Sequence, residues 1–201
     1  VGSEMCRRDR CLTIHETCHG LAAYALGDPT AKRAHRLSLN PLRHIDWIGF
    51  FMMIVAGFGW AKPVPVNPNY FKKPKEGMAI TALAGPVSNF LLALALLLAA
   101  RLVYLRALMT GTLPETLFSF LVNTASLSVG LGLFNLVPVP PLDGSKVAAV
   151  LLPDRAYNWL MRYEQLGMVL LVVIISVGIG SNALDAAIRW VFELFCRIVG
   201  F

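Results

Sequence analysis

The stretch GMAITALAGPVSNFLLALALLLAA, residues 77–100, contains no charged residue. An α-helix needs about 20 mainly apolar residues to cross the hydrocarbon core of a bilayer. The stretch is long enough to do so, and we predict that it forms a transmembrane helix. We therefore expect the fold to be built around a helix that faces lipid and not water.

Two further uncharged runs lie C-terminal to this stretch, at residues 116–142 and 165–184, and a shorter one precedes it at 47–61. The whole chain is 56% hydrophobic and only 15% charged, whereas a soluble domain carries about 25% charged residues. We therefore predict an integral membrane protein. The shorter run could be a short span, a re-entrant segment or an interfacial helix.

The formal net charge of +6 comes from Lys and Arg that cluster between the apolar runs. Basic loops of this kind contact anionic lipid headgroups or set the orientation of membrane helices. They are not interleaved with aromatic residues, so we expect no nucleic-acid partner. Basic loops flank the run at 47–61 on both sides. If this run crosses the membrane, the two loops lie on opposite faces and their charges favour opposite orientations. The sequence therefore leaves the orientation of the chain in the membrane open.

The stretch LTIHETCHGLAAYAL, residues 12–26, places three ionisable side chains in a mostly apolar helix. His15 and His19 are four residues apart and share one helix face, while Glu16 lies beside them. This is the H-E-x-x-H pattern, in which two His bind zinc and the Glu acts as general base. The alternative is that both His are ordinary hydrogen-bonded helix residues.

A catalytic zinc site takes three protein ligands, so the sequence must supply a third. Asp143 follows the uncharged run 116–142 and ends the proline-rich stretch FNLVPVPPLDG, residues 134–144. An acidic residue at a break within a membrane segment is a functional-site hypothesis by default. The alternative is that Asp143 caps a helix that begins near Ser145. Three other carboxylates are interpreted as solvated loop residues: Asp28, Asp46 and Glu115.

The pattern predicts one domain over residues 1–201, with a polar tail at 1–11. Only a short apolar lead, Leu12–Ile14, precedes His15, and we expect the first helix to be truncated at its N-terminal side. The tail at 183–198 is amphipathic and is predicted to lie along the membrane interface. The remaining predicted elements are helices at Leu12–Leu26, Met78–Ala100, Thr116–Val137, Ser145–Leu152 and 165–180, and an extended Pro63–Val66 segment.

Together, H-E-x-x-H, A-G-P-x-x-N at 84–89 and N-x-x-P-x-P-P-L-D-G at 135–144 resemble the site-2 protease family of intramembrane zinc metalloproteases. The similarity is to the compact prokaryotic type and covers most of residues 15–150. It implies an all-α polytopic membrane protein. A core of about three helices carries the zinc site, with further transmembrane or interfacial helices and a short extended Pro-rich segment.

The resemblance also implies roles for individual residues. His15, His19 and Asp143 would bind one Zn²⁺ per chain, and Glu16 would be the catalytic acid/base. Asn89 and Asn135 are candidates for contact with substrate or oxyanion, the alternative being a hydrogen bond between helices. The extended segment is a candidate to pair with an unwound substrate strand; its residues are Pro63, Val64, Pro65 and Val66.

The implied reaction is hydrolysis of a peptide bond in a transmembrane protein substrate, within a lipid bilayer, by a multi-pass protein of the cell membrane. Two other functions remain open on the residues alone. Broken membrane helices with His and Asp also occur in transporters of metal ions or small solutes. A catalytically inactive scaffold could keep the same fold. The substrate and the oligomeric state are not predicted.

Overall fold

The computed structural model describes residues 2–40, 51, 63–178 and 180–201, and within them the regular structure is helical, without β-strands. A single 3₁₀ turn covers Pro68–Tyr70. The α-helices, numbered along the chain, are α1 Gly2–Ala25, α2 Thr30–Arg33, α3 Pro74–Thr110, α4 Glu115–Asn135, α5 Asp143–Ala149, α6 Asp154–Arg162, α7 Glu164–Val177 and α8 Ser181–Val199.

Helices α3 and α4 are long and apolar enough to cross a membrane, which confirms the two central predicted spans. The third predicted span is bent. Gly167–Val177 and Ser181–Val199 would together be long enough, but they are inclined by 87° to one another. The predicted helix at 165–180 ends early because Gly178 and Gly180 adopt positive φ angles of 73° and 81°, which a continuing helix cannot contain. The short run at 47–61, apart from Phe51, lies outside the described residues.

The first helix begins at Gly2 and not at Leu12, so its predicted start is wrong, and residues 2–11 of the predicted polar tail belong to the helix. The arginines at positions 7, 8 and 10 are good helix formers despite their charge. The hydroxyl of Thr13 donates to the carbonyl of Asp9, four residues earlier, across the predicted boundary. The charged turns therefore continue directly into the helix that carries His15.

The main apolar core lies between α3 and α4, where Ala93 and Leu97 meet Ala125 and Val129. Alanine at two of these positions lets the two helix backbones approach closely. Helix α8 covers this core with its apolar face, through Ile188, Val191, Phe192, Phe195, Cys196 and Val199. The predicted amphipathic tail is thus a helix whose apolar side packs on protein, while its predicted place along the membrane interface stays a prediction.

Two irregular segments bring the remaining candidate residues towards α1. After α4 the chain folds back so tightly that a Cβ atom at Gly144 would overlap the carbonyl of Leu136. This close approach explains the glycine and starts α5 beside the end of α4. The second segment, Pro63–Asn67, has no regular secondary structure and is not paired as a strand. Its Val64 side chain packs against α1 at Gly20, where a Cβ would lie 3.2 Å from Val64 Cγ1.

Candidate metal centre

The predicted ligands His15, His19 and Asp143 come together although Asp143 lies far along the chain. Asp143 Oδ2 is 3.0 Å from His15 Nε2 and 3.1 Å from His19 Nε2. The two Nε2 atoms are 2.9 Å apart. Tetrahedral ligands at zinc–ligand distances of about 2.0–2.2 Å stand roughly 3.3 Å from one another. The three atoms therefore need only a small outward movement to hold a zinc ion.

The hydrogen bonding of His19 shows why a cation fits among these atoms. His19 Nδ1 lies 2.7 Å from the backbone carbonyl oxygen of Thr81. A carbonyl only accepts, so Nδ1 carries the proton and the neutral ring presents a lone pair at Nε2. That lone pair faces the carboxylate of Asp143. Two acceptors at such a distance require a positive charge between them, which a bound metal ion supplies.

Asp143 is the first residue of α5, yet it does not cap that helix. The residue at the N-cap is Leu142, and no side-chain cap hydrogen bond is formed there. The carboxylate instead extends towards α1, with 12% of the side chain exposed. The geometry therefore favours the ligand role over the capping alternative.

Gly85 on α3 forms the wall behind both imidazoles, a role that the A-G-P spacing did not reveal. A Cβ atom there would lie 2.5 Å from Cε1 of His15 and 2.5 Å from both Cε1 and Nε2 of His19. Real Cβ atoms do not come this close to ring atoms. The absence of a side chain at Gly85 thus allows α1 to present both rings to one point.

We expect Gly85→Ala to displace both rings and to lower the zinc content of the purified protein at least about tenfold, since misplaced ligands bind metal poorly. Elemental analysis by mass spectrometry measures this directly. Gly130→Ala is the matched control, because its Cβ would meet only Ile188 Cδ1, at 3.5 Å. Equal zinc in both variants would show that the rings do not need this space.

Asn89 lies behind His15 and is fully buried. Its side-chain nitrogen is 3.1 Å from His15 Nδ1, and its Oδ1 has no hydrogen-bond partner within the described residues. If Nε2 of His15 binds metal, Nδ1 carries a proton and needs an acceptor. A rotation of the Asn89 side-chain amide by half a turn places its acceptor, Oδ1, next to His15 Nδ1. The predicted contact of Asn89 with substrate stays a prediction, while this geometry favours a role in orienting His15.

Replacing Asn89 by Ala should lower zinc affinity about 10- to 100-fold, the usual effect of removing the partner of a metal-bound imidazole. Asn89→Asp retains an acceptor oxygen and should retain most of the affinity. Competition with a calibrated chelator provides the measurement. Unchanged affinity in the Ala variant, with reduced cleavage, would instead favour the substrate contact.

Glu16 lies next to His15 along α1 but points to a different partner. One of its carboxylate oxygens is within 4.8 Å of the coordinating nitrogens, so Glu16 could be counted among the ligands. However, Glu16 Oε2 accepts a hydrogen bond of 3.0 Å from the backbone N–H of Val64, whereas the Asp143 carboxylate contacts both rings directly. The geometry therefore favours Asp143 over Glu16 as the third ligand, which stays a prediction.

A cavity of about 1200 Å³ opens from this centre. Arg7, Arg8 and Asp9 make one part of its wall polar. Apolar side chains line another part: Leu131, Phe134, Met168, Leu171, Ile175 and Ile188. Of the predicted substrate contacts, the structure places four on this wall: Pro63, Val64, Val66 and Asn135. The amide of Asn135 donates to the Leu131 carbonyl of its own helix, and Pro65 is exposed.

Comparison with known proteins shows which family has this arrangement. Residues 10–178 match the model of peptidase family M50, the site-2 proteases. The chain belongs to this family. A protein of Bacillus subtilis (strain 168) named "Putative zinc metalloprotease YwhC" is 40% identical over 178 residues, which cover 86% of this chain and 79% of that protein.

More distant relatives of the chain are also named as zinc metalloproteases. Proteins named "Putative zinc metalloprotease Rip2" are 26% identical in Mycobacterium tuberculosis (strain ATCC 25618 / H37Rv) and 28% identical in Mycolicibacterium smegmatis (strain ATCC 700084 / mc(2)155). Each alignment covers 91% of this chain, and it covers 70% and 67% of the respective relatives. No solved structure matches the chain significantly.

Membership of family M50 identifies this protein as a membrane-integral metalloprotease with zinc as its cofactor. It confirms the predicted family, the all-α membrane fold and the metal. The backbone carbonyl of Thr81, which holds His19, had no signal in the sequence because any residue type supplies a carbonyl.

Proposed function

We propose that this M50 protein is an intramembrane zinc metalloprotease that hydrolyses peptide bonds in or near transmembrane segments of substrate proteins, in the manner of regulated intramembrane proteolysis. One observation carries the proposal. Three acceptor atoms of His15, His19 and Asp143 lie within 3.1 Å of one another, with Glu16 beside them and a partly apolar cavity in front. We further propose that residues 1–201 act as one domain and cross the cell membrane several times.

Each side chain has a defined task in this mechanism. His15, His19 and Asp143 would hold the zinc ion, which when bound would supply a Lewis acid to polarise the scissile carbonyl and to make a water molecule more acidic. Glu16 accepts the proton of the attacking water and later delivers it to the leaving amine. The Thr81 carbonyl and the Asn89 amide keep the two imidazoles in the orientation that directs Nε2 towards the centre. Val64 holds the carboxylate of Glu16 through its N–H group.

The lining of the cavity suits a substrate that has apolar side chains and an accessible backbone. Its apolar wall, formed by α4, α7 and α8, suits the side chains of a membrane segment. The polar wall at Arg7, Arg8 and Asp9 lets water reach the site, since irregular backbone and charges at membrane depth need contact with protein or water. Peptide hydrolysis consumes water, so the site needs the polar wall for water as well as the apolar wall for the substrate.

The experiment that tests the proposal uses the purified protein in liposomes with tagged single-span membrane proteins. We expect the wild type to cut a subset of them, to lose this activity when a chelator removes the metal, and to regain it when Zn²⁺ is added back. Gel analysis of the tagged fragments gives the result. Cleavage that persists without metal, or that is absent for every single-span protein while water-soluble proteins are cut, would overturn the proposal.

A further inference from the structure

Asp28 follows α1 and was interpreted as a solvated loop carboxylate, but the structure buries it completely. Its Oδ1 accepts hydrogen bonds from the backbone N–H and the hydroxyl of Thr30. Its Oδ2 accepts a 2.7 Å hydrogen bond from the backbone N–H of Asn67. A buried carboxylate needs such compensation. The third bond is notable because it crosses 39 residues of chain to the Pro63–Asn67 segment.

The same segment contacts Glu16 at its other end. The N–H of Val64 donates to Glu16 Oε2 at 3.0 Å, and the Val64 side chain is buried against α1. The segment is thus attached to two carboxylates of the α1 region, one at the predicted catalytic position and one beyond the end of the helix. It joins a residue of the metal centre to a residue far from it.

The composition of the segment makes this attachment stiff. Pro63, Pro65 and Pro68 have fixed φ angles and no N–H group. Residues 63–68 therefore carry only three backbone N–H groups, at Val64, Val66 and Asn67. Two of the three are bound to carboxylates. A short chain with so little rotational freedom transmits the position of one end to the other.

We propose that Asp28 is a positioning residue for Glu16. Asp28 fixes Asn67, the proline-rich segment carries that position to Val64, and the Val64 N–H holds the carboxylate of Glu16 beside the metal ligands. A glutamate side chain has three rotatable bonds and would otherwise sample several orientations. A hydrogen bond to its charged oxygen restricts them. The meaning of this linkage for catalysis rests on the proposed function, whereas the linkage itself does not.

Amide hydrogen exchange tests the linkage without any substrate. In the purified, zinc-loaded full chain in detergent micelles, fragment-level mass spectrometry should show slow exchange at Val64 and Asn67 and fast exchange at Val66. In Asp28→Ala we expect exchange to accelerate at least tenfold at both Asn67 and Val64, although Val64 does not contact Asp28. Asp154→Ala, which removes a largely exposed carboxylate, is the control and should change neither.

The outcome at Val64 decides the matter. If Val64 stays protected in Asp28→Ala while Asn67 is released, the segment holds Glu16 without Asp28 and the proposal is overturned. Exchange within α3 reports whether the variant is folded. Should Asp28→Ala unfold, Asp28→Asn applies the same criterion, since an amide has one acceptor oxygen and cannot serve Thr30 and Asn67 together.

Turnover of fluorescently labelled casein, a generic unfolded substrate, gives the second readout. A misplaced catalytic group costs up to about 100-fold in rate, so Asp28→Asn should lower kcat at least tenfold with KM and zinc content unchanged. A raised KM with unchanged kcat would assign the segment to substrate binding and overturn the proposal. A wild type that cleaves neither casein nor single-span proteins would count against the proposed function, while the exchange result would stand.

Discussion

Glu16→Gln should abolish peptide-bond hydrolysis while the protein keeps its zinc. The amide is nearly the same size as the carboxylate and can still accept the Val64 N–H through its oxygen, which is 3.0 Å away in the wild type. It cannot take up a proton from water. General base catalysis contributes about 10²–10⁴-fold, so we expect a fall of about 10³-fold or more. Cleavage of a tagged single-span protein and elemental zinc analysis are measured on the same preparation.

Glu76→Gln provides the matched control, because Glu76 is an exposed carboxylate whose ion-pair partner among the described residues is the exposed Lys73. It should cleave like the wild type. The Glu16 variant also separates the protease from the alternatives. A transporter of metal ions or small solutes has no need for a carboxylate between the paired His, so zinc or solute flux that survives in Glu16→Gln, with no cleavage by the wild type, would contradict the protease mechanism.

The sequence predicts those site residues whose role follows from the pattern of a short stretch of chain. The i, i+4 spacing of His15 and His19 is a property of one helix, and the structure brings both rings together as predicted. Asp143 could be found because a charge after a long uncharged run is costly unless it has a function. In both cases the physical reason is contained in a short stretch of chain.

Asp28 shows why the rest was missed. Its flanking residues, Gly27, Pro29 and Thr30, are typical of a turn in which Asp accepts a hydrogen bond from the residue two positions on. The hydrogen bonds of Asp28 to Thr30 can therefore be predicted from the local sequence. The bond to Asn67 depends on how two distant segments pack. Helix α8 has the same limitation, because an amphipathic pattern does not tell whether its apolar face meets lipid or, as found, the core at Ala93 and Leu97.

The start of α1 was mispredicted for a different reason. The polar composition of residues 1–11 predicts a tail that precedes the helix, but a helix backbone does not need apolar side chains, only residues that favour helical angles. The charged turns instead mark where the surroundings become polar. This is consistent with Arg7, Arg8 and Asp9 on the wall of the cavity that Glu16 also lines.

Asp143→Ala should remove zinc from the protein and with it all cleavage. The variant loses the carboxylate oxygen that stands 3.0 and 3.1 Å from the two ring nitrogens, and two imidazoles alone make a weak site for a metal that prefers three protein ligands. Loss of a partner outside the ligand set already costs about 10- to 100-fold in affinity, so we expect a loss of more than about 100-fold. Competition with a chelator measures it.

His15→Ala should have the same consequence, and Asp154→Ala, which changes a carboxylate with 87% of its side chain exposed, should have none. Agreement between the first two variants is the decisive point, because the two residues lie on different helices and each supplies one proposed ligand to the same ion. Zinc bound as tightly in both as in the wild type would place the metal elsewhere and would favour a scaffold that has kept the fold without the site. Zinc lost from both, with α3 still protected from exchange, would show that one ion joins α1 to α5.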